Sequence, residues 1–234
     1  MSDYIDNQGF RANVGIVLMR DGGELFLGGR RDGRGWQFPQ GGVLRNEQPE
    51  AALYRELHEE VGLERSDVEL VASTSRWLRY RLPHQYLRRR GNPVCIGQKQ
   101  RWFLLRMLGD DSRFNFEATA EPEFDRGRWV DYWAPVREVI YFKRAVYVRA
   151  LQELGEQAFT AGPPPRPEWL TDEMLRAPHP RSPRPCAGRW RRRESATGPS
   201  SRPPASQPRP TGAPAPRRNR RWRNCRCRFS SKAS

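Results

Sequence analysis

The chain has 234 residues, of which 36% are hydrophobic and 29% are charged, and its formal net charge is +15. It contains no run of 18 or more apolar residues, which argues against a transmembrane helix. The four cysteines are too few and too scattered for a disulfide scaffold, and the polar, acidic N-terminus predicts no secretory signal, so we expect a cytoplasmic protein without a membrane partner.

The positive charge is concentrated towards one end of the chain. Residues 160–234 hold 18 Lys and Arg against 4 Asp and Glu, together with 15 of the 21 prolines, so the remaining residues are nearly neutral. A segment this rich in Pro and Arg cannot bury enough apolar surface to offset its conformational entropy. We therefore predict a folded domain over 8–158 and a disordered basic extension over 160–234, which either binds RNA or has no function.

Hydrophobic patterning predicts alternating strands and helices within the domain. In chain order, the pattern predicts a strand at 13–19, its hairpin partner at 24–28, a shaped glycine-rich loop at 33–42, a helix at 49–61, strands at 68–75, 98–107 and 127–133, and a closing helix at 143–159. Pro49 suits the first turn of its helix, and Gly62 suits the position just past its end. Strands on both sides of a helix predict an α/β or α+β sandwich.

The predicted helix over 49–61 carries a cluster of acidic residues. Glu56, Glu59 and Glu60 stand at i, i+3 and i+4, so their carboxylates share one face. Like charges at this spacing destabilise a helix by roughly 0.2–0.5 kcal/mol per pair. Compensation could come from Arg55, which would leave a solvated acidic face, or from a divalent cation such as Mg²⁺, which prefers oxygen ligands. The glutamates alone leave both explanations open.

The residues around this cluster complete a longer motif. Glu47 lies six positions after Gly41, Arg55 lies eight positions after Glu47, and residues 55–63 read Arg-Glu-Leu-His-Glu-Glu-Val-Gly-Leu. Residues 41–63 thus resemble the Nudix box at all nine defining positions. This resemblance implies an α/β/α sandwich around a mixed sheet. It also implies an enzyme that uses Mg²⁺ or Mn²⁺ to hydrolyse nucleoside diphosphates linked to another group.

The resemblance implies that the acidic face binds the metal and that other box residues are structural. The implied metal ligands are the carbonyl of Gly41 and the catalytic carboxylates of Glu56, Glu59 and Glu60. One of these glutamates, or a hydroxide held by the metal, would act as the base. The implied structural residues are Glu47, Arg55 and Gly62.

The resemblance continues on both sides of the box, over about 8–155. The matching segments are 10–17, 35–42, 77–83, 93–100, 121–125, 128–130 and 142–144. They are similar to a proteobacterial branch of the family that acts on RNA 5′ ends or on dinucleoside polyphosphates. This branch implies Glu123 as a further metal ligand. The implied substrate-binding residues are Arg11, Arg30, Gln98, Phe142 and Lys143. Phe142 would be a platform for a base, although the residue by itself favours a core aromatic that leads into the last helix.

A basic and aromatic stretch follows the box. Residues 76–106 contain nine Lys and Arg and no acidic residue, interleaved with aromatic residues at positions 77, 80, 86, 102 and 103. Arginines that follow phosphates and rings that stack on bases are typical of a groove for single-stranded nucleic acid. The alternative is a set of strands whose aromatic side chains pack in the core while their arginines are solvated.

The resemblance therefore implies an enzyme that removes pyrophosphate or phosphate from triphosphorylated or diphosphorylated RNA 5′ ends. The product would be a 5′-monophosphate end, which is open to 5′-end-dependent nucleases. A dinucleoside polyphosphate hydrolase is the alternative enzyme. An RNA-binding regulator with a degenerate site is the alternative without catalysis, but three intact, mutually repelling carboxylates have no role in it. The sequence does not identify a protein activator.

Overall fold

The computed structural model describes residues 4–33, 35–87 and 93–176. The strands are β1 (Phe10–Met19), β2 (Leu25–Arg30), β3 (Trp36–Gln37), β4 (Gln40–Gly42), β5 (Val68–Ser73), β6 (Leu78–Arg81), β7 (Gly97–Met107) and β8 (Phe124–Val130). The helices are α1 (Pro49–Val61), α2 (Ala134–Glu138), α3 (Arg144–Ala158) and α4 (Asp172–Arg176). Short 3₁₀ turns lie at Arg65–Asp67, His84–Tyr86, Asp111–Arg113 and Tyr141–Lys143.

The strands form one mixed sheet with β1 near its centre. β1 runs parallel to β7 along its whole length, from Phe10 opposite Gly97 to Met19 opposite Arg106. It also pairs antiparallel with β4 and, through the tight hairpin after Met19, with β2. β5 and β6 pair antiparallel with β7, while β3 and β8 pair antiparallel with β2. The mixed sheet predicted from the resemblance is confirmed.

Both faces of the sheet are covered by helices. Successive side chains of a strand point to opposite faces, and all ten residues of β1 are buried. Val14 and Ile16 pack with Leu57 of α1, on what we call the α1 face. Val17 packs with Leu151 of α3, on the α3 face. The predicted layers of helix, sheet and helix are therefore confirmed.

The helix that carries the motif has the predicted bounds. α1 starts with Pro49 at its first position and ends at Val61. The next residue, Gly62, adopts φ 73° and donates its backbone N–H to the carbonyl of His58 at 2.9 Å. This left-handed conformation is one that glycine adopts without strain, which explains the residue at the end of the box. The segment before the box differs from the prediction. Residues 33–42 were predicted as a loop, but they contribute β3 and β4 to the sheet.

The chain after α3 packs against the α3 face. The indole Nε1 of Trp133 donates to the carbonyl of Pro164 at 2.8 Å, and Leu170 is buried in the same core. These contacts continue the packed chain beyond 158, where the sequence predicts the domain to end. Most of the predicted basic extension, from 177 onwards, lies outside the described residues, so its disorder stays a prediction. Within the described ranges, no helix combines the length and apolar character needed to cross a membrane.

Candidate active site

Gly41 and Glu56 bring β4 and α1 into direct contact. Gly41 pairs with Val14 in the middle of the sheet. A Cβ atom added to Gly41 would lie 1.7 to 2.1 Å from the carboxylate atoms of Glu56, far inside any real contact. The glycine is therefore required by close approach rather than by its backbone conformation. It lets the Glu56 carboxylate, which is only 8% exposed, lie against the backbone of β4.

Glu60 is the most deeply buried carboxylate of the motif, with 2% exposure. Its Oε2 accepts the backbone N–H of Gln40 at 2.8 Å. Burial, followed by the nearby carboxylates of Glu123 and Glu56, raises the pKa of Glu60 well above its usual range, although the hydrogen bond from Gln40 opposes the shift. The fold thus brings the carboxylates of Glu56, Glu60 and Glu123 close together at the end of β4.

Arg55 ties the acidic helix to the loop that precedes it. Its Nε and Nη2 each donate to the Glu47 carboxylate at 2.8 Å, and Nη2 also donates to the carbonyl of Gly42 at 2.7 Å. Its Nη1 donates to Glu56 at 2.6 Å and lies 3.6 Å from Glu59, which is 27% exposed. Burial opposes the ionised form of Glu47, but its hydrogen bonds from Arg55 and from a backbone N–H lower its pKa. Arg55 and Glu47 therefore occupy positions suited to the predicted structural role.

Glu123 reaches this region from the loop before β8. Its Oε1 accepts from Arg30 Nη1 at 2.6 Å and from Gln37 Nε2 at 3.0 Å. Arg30 also binds Asp32 at 3.0 Å. The pairing of β8 with β2 accounts for this placement, because it sets Phe124 opposite Arg30. The structure brings Glu123 together with the box residues, and its role as a ligand stays a prediction.

The oxygen atoms gathered here fit a divalent cation. The Gly41 carbonyl and the carboxylates of Glu56, Glu60 and Glu123 are the hard donors that Mg²⁺ and Mn²⁺ accept. Several carboxylates sharing a buried site also need positive charge, which two guanidiniums supply in part. No group of three or more His, Cys, Asp or Glu side chains in the described ranges is already arranged as a metal-binding cluster.

Buried polar side chains continue from the carboxylates across the α3 face. Register places Arg11 opposite Gln98 and Asn13 opposite Gln100 on the parallel strands β1 and β7, and all four are buried. Gln100 Nε2 donates to Asn13 Oδ1 at 2.6 Å, and Gln100 Oε1 is buried without a hydrogen-bond partner among the described residues. We call these four side chains the polar floor.

Gln40 connects the polar floor to the carboxylates. Its backbone N–H donates to Glu60, while its side-chain Oε1 accepts from Gln100 Nε2 of the polar floor at 3.4 Å and from Lys143 Nζ at 3.0 Å. Asn13, Gln40 and Gln100 were not among the predicted site residues. The sequence signal for them is weak, because a polar residue at an alternate position of an apolar strand does not reveal which side chain it meets.

Phe142 lies beside Lys143 in an aromatic cluster. Its ring centroid lies 5.9 Å from that of Tyr80, 5.2 Å from Tyr86 and 5.4 Å from Tyr141. The Tyr80 hydroxyl donates to Gln98 Oε1 at 2.7 Å, which joins the cluster to the polar floor. Phe142 is partly buried against the α3-face core, so part of the ring remains accessible.

The basic and aromatic residues that the structure describes within 76–106 do not share one groove, and 88–92 lie outside the described residues. Trp102 is buried in the α3-face core and Phe103 in the α1-face core, so neither ring can stack on a base. Tyr80 faces α3, whereas the guanidiniums of Arg79 and Arg81 lie over Phe10 on the α1 face. For the described residues, the prediction of a single groove that interleaves arginines and rings is therefore wrong, because the alternation of β6 separates its arginines from its aromatic residue.

Comparison with known proteins places this geometry in a family. A family model described as NUDIX domain matches residues 9–151. The chain belongs to the Nudix family. Nudix hydrolases generally use divalent metal cations, in keeping with the donor set described above.

The relatives of this Nudix chain include bacterial proteins that are all named RNA pyrophosphohydrolase. It is 54% identical over 163 residues to an RNA pyrophosphohydrolase of Alkalilimnicola ehrlichii, covering 70% of this chain and 90% of that protein. It is 59% identical over 151 residues to an RNA pyrophosphohydrolase of Halorhodospira halophila, covering 64% and 83%. The E. coli dihydroneopterin triphosphate pyrophosphohydrolase superposes with a TM-score of 0.50 at 19% identity, over 64% of this chain and 96% of that one, which shows the shared fold.

Proposed function

We propose that this Nudix protein is an RNA pyrophosphohydrolase. It hydrolyses phosphoanhydride bonds at triphosphorylated or diphosphorylated RNA 5′ ends and leaves a 5′-monophosphate. The residue that carries the proposal is Gln40. Its backbone N–H donates to Glu60, and its side-chain oxygen accepts from Gln100 of the polar floor and from Lys143, so that the carboxylates and the polar floor form one continuous site. The names of the bacterial relatives support this substrate.

The carboxylate side of the site performs the hydrolysis. When bound there, Mg²⁺ or Mn²⁺ supplies Lewis-acid chemistry that neutralises phosphate oxygens and lowers the pKa of a water. Glu56, Glu59, Glu60 and Glu123, with the Gly41 carbonyl, would hold it. Arg55 keeps Glu56 oriented through its 2.6 Å hydrogen bond. One of the glutamates can accept the proton of the attacking water.

The polar floor and the aromatic cluster bind the substrate. Arg11, Arg30 and Lys143 carry the positive charge that attracts the polyphosphate, and their N–H groups can donate to its oxygens. Gln98, which lies opposite Arg11 on the neighbouring strand, supplies a side-chain amide. Phe142 offers a ring on which the first bases of the RNA can stack. The proposal includes a cytoplasmic location, where the substrate is made.

A comparison of two substrates tests the proposal. Triphosphorylated RNA and diadenosine tetraphosphate both present a polyphosphate next to a base, so the carboxylates do not distinguish them. The value of kcat/KM in Mg²⁺ is expected to be higher on a triphosphorylated RNA oligonucleotide. A higher value on diadenosine tetraphosphate would instead make the protein a dinucleoside polyphosphate hydrolase. No turnover of either would favour a non-catalytic RNA-binding protein.

Removal of the Phe142 ring is expected to weaken substrate binding. Because stacking contributes ~1–3 kcal/mol per base, Phe142→Ala should raise the KM for triphosphorylated RNA by roughly 5- to 150-fold, with metal affinity unchanged. Phe114→Ala is the matched control. Phe114 is another partly buried ring, stacked 4.5 Å from Phe26 on the α1 face. A lower Tm in both variants with no change in KM would mean that Phe142 serves only in packing.

A further inference from the structure

A second concave surface lies on the α1 face, at the edge of the sheet formed by β6. A cavity of about 550 Å³ is lined by Gln8, Phe10, Arg79, Tyr80 and Arg81, and we call it the Arg79–Arg81 pocket. The Phe10 ring is buried, yet it belongs to neither core. It is covered instead by two guanidiniums, whose carbons lie 5.3 Å and 5.7 Å from the ring centroid.

The N-terminal side of this pocket is held in place by Asp6. Its Oδ1 accepts the backbone N–H groups of Gln8 at 3.0 Å and Phe10 at 2.9 Å, and its Oδ2 pairs with Lys99 at 2.9 Å. Burial opposes the ionised form, but these hydrogen bonds and the ammonium of Lys99 lower the pKa of Asp6. The Asp6 charge is thus taken by Lys99 and is not directed at the two arginines.

The floor of the pocket depends on a glycine. Gly97 of β7 lies opposite both Phe10 of β1 and Arg81 of β6. A Cβ at this position would lie 2.9 Å from a carbon of the Phe10 ring and 2.3 Å from the Tyr80 carbonyl oxygen. The absence of a side chain therefore lets the Phe10 ring lie close to β7 with the arginines above it.

Among the described residues, no carboxylate compensates the charge of the two arginines of the pocket. They are exposed and stand two residues apart on one face of an edge strand, which separates them by roughly 6.6 Å along the strand. Across residues 4–33, 35–87 and 93–176, neither pairs with a carboxylate. Arg126 and Arg128 of β8 form a useful contrast, since they also lie over a ring, that of Trp36, at 5.3 and 4.1 Å. That pair is neutralised by Asp125 and Glu138, at 3.0 and 2.9 Å.

We propose that the Arg79–Arg81 pocket binds the RNA chain downstream of the 5′ end that the carboxylates hydrolyse. The proposal rests on the proposed function for the identity of this chain. A guanidinium matches phosphate geometry with two parallel N–H donors, and two of them can contact successive phosphates. Strand β6 links the two sites, because Arg79 and Arg81 line the pocket on one face while the Tyr80 hydroxyl, on the other face, binds Gln98 of the polar floor. RNA that leaves the polar floor around β6 therefore meets this pocket next.

The double variant Arg79→Gln, Arg81→Gln tests the proposal. A 5′-hydroxyl RNA dodecamer is the binding probe, since it has no phosphoanhydride bond to hydrolyse. Its Kd is expected to rise by roughly 2- to 30-fold, the range for two exposed ion pairs. The slope of log K against log salt should become about 1.4 less steep, at ~0.7 for each single-strand phosphate contact. The KM for a triphosphorylated dodecamer should rise with unchanged kcat, while that for a triphosphorylated dinucleotide stays constant.

Two further double variants distinguish a specific effect of Arg79 and Arg81 from a general loss of charge or of stability. Arg126→Gln, Arg128→Gln makes the same change in net charge and removes the same kind of ring contact, and should leave the Kd and the salt slope as in the wild type. Arg79→Lys, Arg81→Lys keeps the charge but loses the forked donors, so the salt slope should persist while the Kd rises.

Three results would decide against the proposal or against its premise. Wild-type affinity and slope in Arg79→Gln, Arg81→Gln would overturn the proposal and leave an acidic protein surface as the ligand. An equal rise in KM for the dinucleotide would also overturn it, since the arginines would then act at the carboxylate site. If the wild type hydrolyses no triphosphorylated RNA but binds the dodecamer through these arginines, the pocket stands and the proposed function fails.

Discussion

Glu60→Gln is expected to lower kcat by about 100- to 1,000-fold, because the site loses several kcal/mol of charge stabilisation and each 1.36 kcal/mol is tenfold. The amide keeps the size of the side chain and an acceptor for the Gln40 N–H, so the fold should be retained. Removal of one of three crowded carboxylates should raise the free energy of unfolding of the metal-free protein by roughly 0.2–0.5 kcal/mol. Phosphate release in Mg²⁺ and thermal unfolding in EDTA measure the two effects.

Glu56→Gln should lower kcat similarly, but without the gain in stability, because the partner of Arg55 at 2.6 Å loses its negative charge. The control is Glu50→Gln, an exposed residue in the first turn of the same helix that lies 3.6 Å from Arg65. That variant should hydrolyse RNA like the wild type. If Glu56→Gln or Glu60→Gln keeps near wild-type turnover in Mg²⁺, the assignment of this carboxylate cluster as the metal site is incorrect.

Gly41→Ala is expected to be nearly as damaging as loss of a carboxylate. The new methyl group would coincide with the Glu56 carboxylate, at 1.7 to 2.1 Å, so either β4 or the Glu56 side chain must move. Overpacking of this kind costs about 1–3 kcal/mol of stability. Displacement of Glu56 should also lower kcat by about 100-fold, as for an oriented group lost from the reacting centre. Thermal unfolding and steady-state kinetics measure the two losses.

Two comparisons isolate the cause of this effect. Gly22→Ala, in the hairpin between β1 and β2, introduces a Cβ that meets Glu24 Oε2 at 3.6 Å, an ordinary van der Waals contact, and should change neither stability nor kcat. The double variant Gly41→Ala, Glu56→Gln should lose no more activity than the more damaged single variant, because both changes act on the same carboxylate. Additive losses would show that Gly41 acts independently of Glu56.

Local sequence was sufficient for the helix and for most of the box. Helical spacing fixes the face shared by Glu56 and Glu60, Pro49 and Gly62 mark the ends of the helix, and the Arg55 pairing with Glu47 needs only the turn between them. These features depend on residues close together in the chain. The same patterning predicted the strand at 13–19, and β1 is buried throughout because one of its faces meets α1 and the other meets α3.

The other half of the site depends on pairings that local sequence does not contain. Glu123 reaches the box because β8 pairs with β2, and the polar floor exists because the parallel register sets Asn13 opposite Gln100. β6 was not predicted as a strand, since only Tyr80 of its four residues is buried. Without that strand, the arginines and rings of 76–106 could not be assigned to opposite faces.

Determination of the 5′ end of the RNA product is the most direct test of the central claim, that the carboxylates and the polar floor form one site for RNA 5′-end hydrolysis. Triphosphorylated RNA would be incubated with Mg²⁺ and either the wild type or Glu60→Gln, and the fraction of 5′-monophosphorylated RNA measured over time. We expect 5′-monophosphorylated RNA with the wild type and about 100- to 1,000-fold slower formation with the variant. Unchanged 5′-triphosphate ends with the wild type, or equal rates for both proteins, would contradict it.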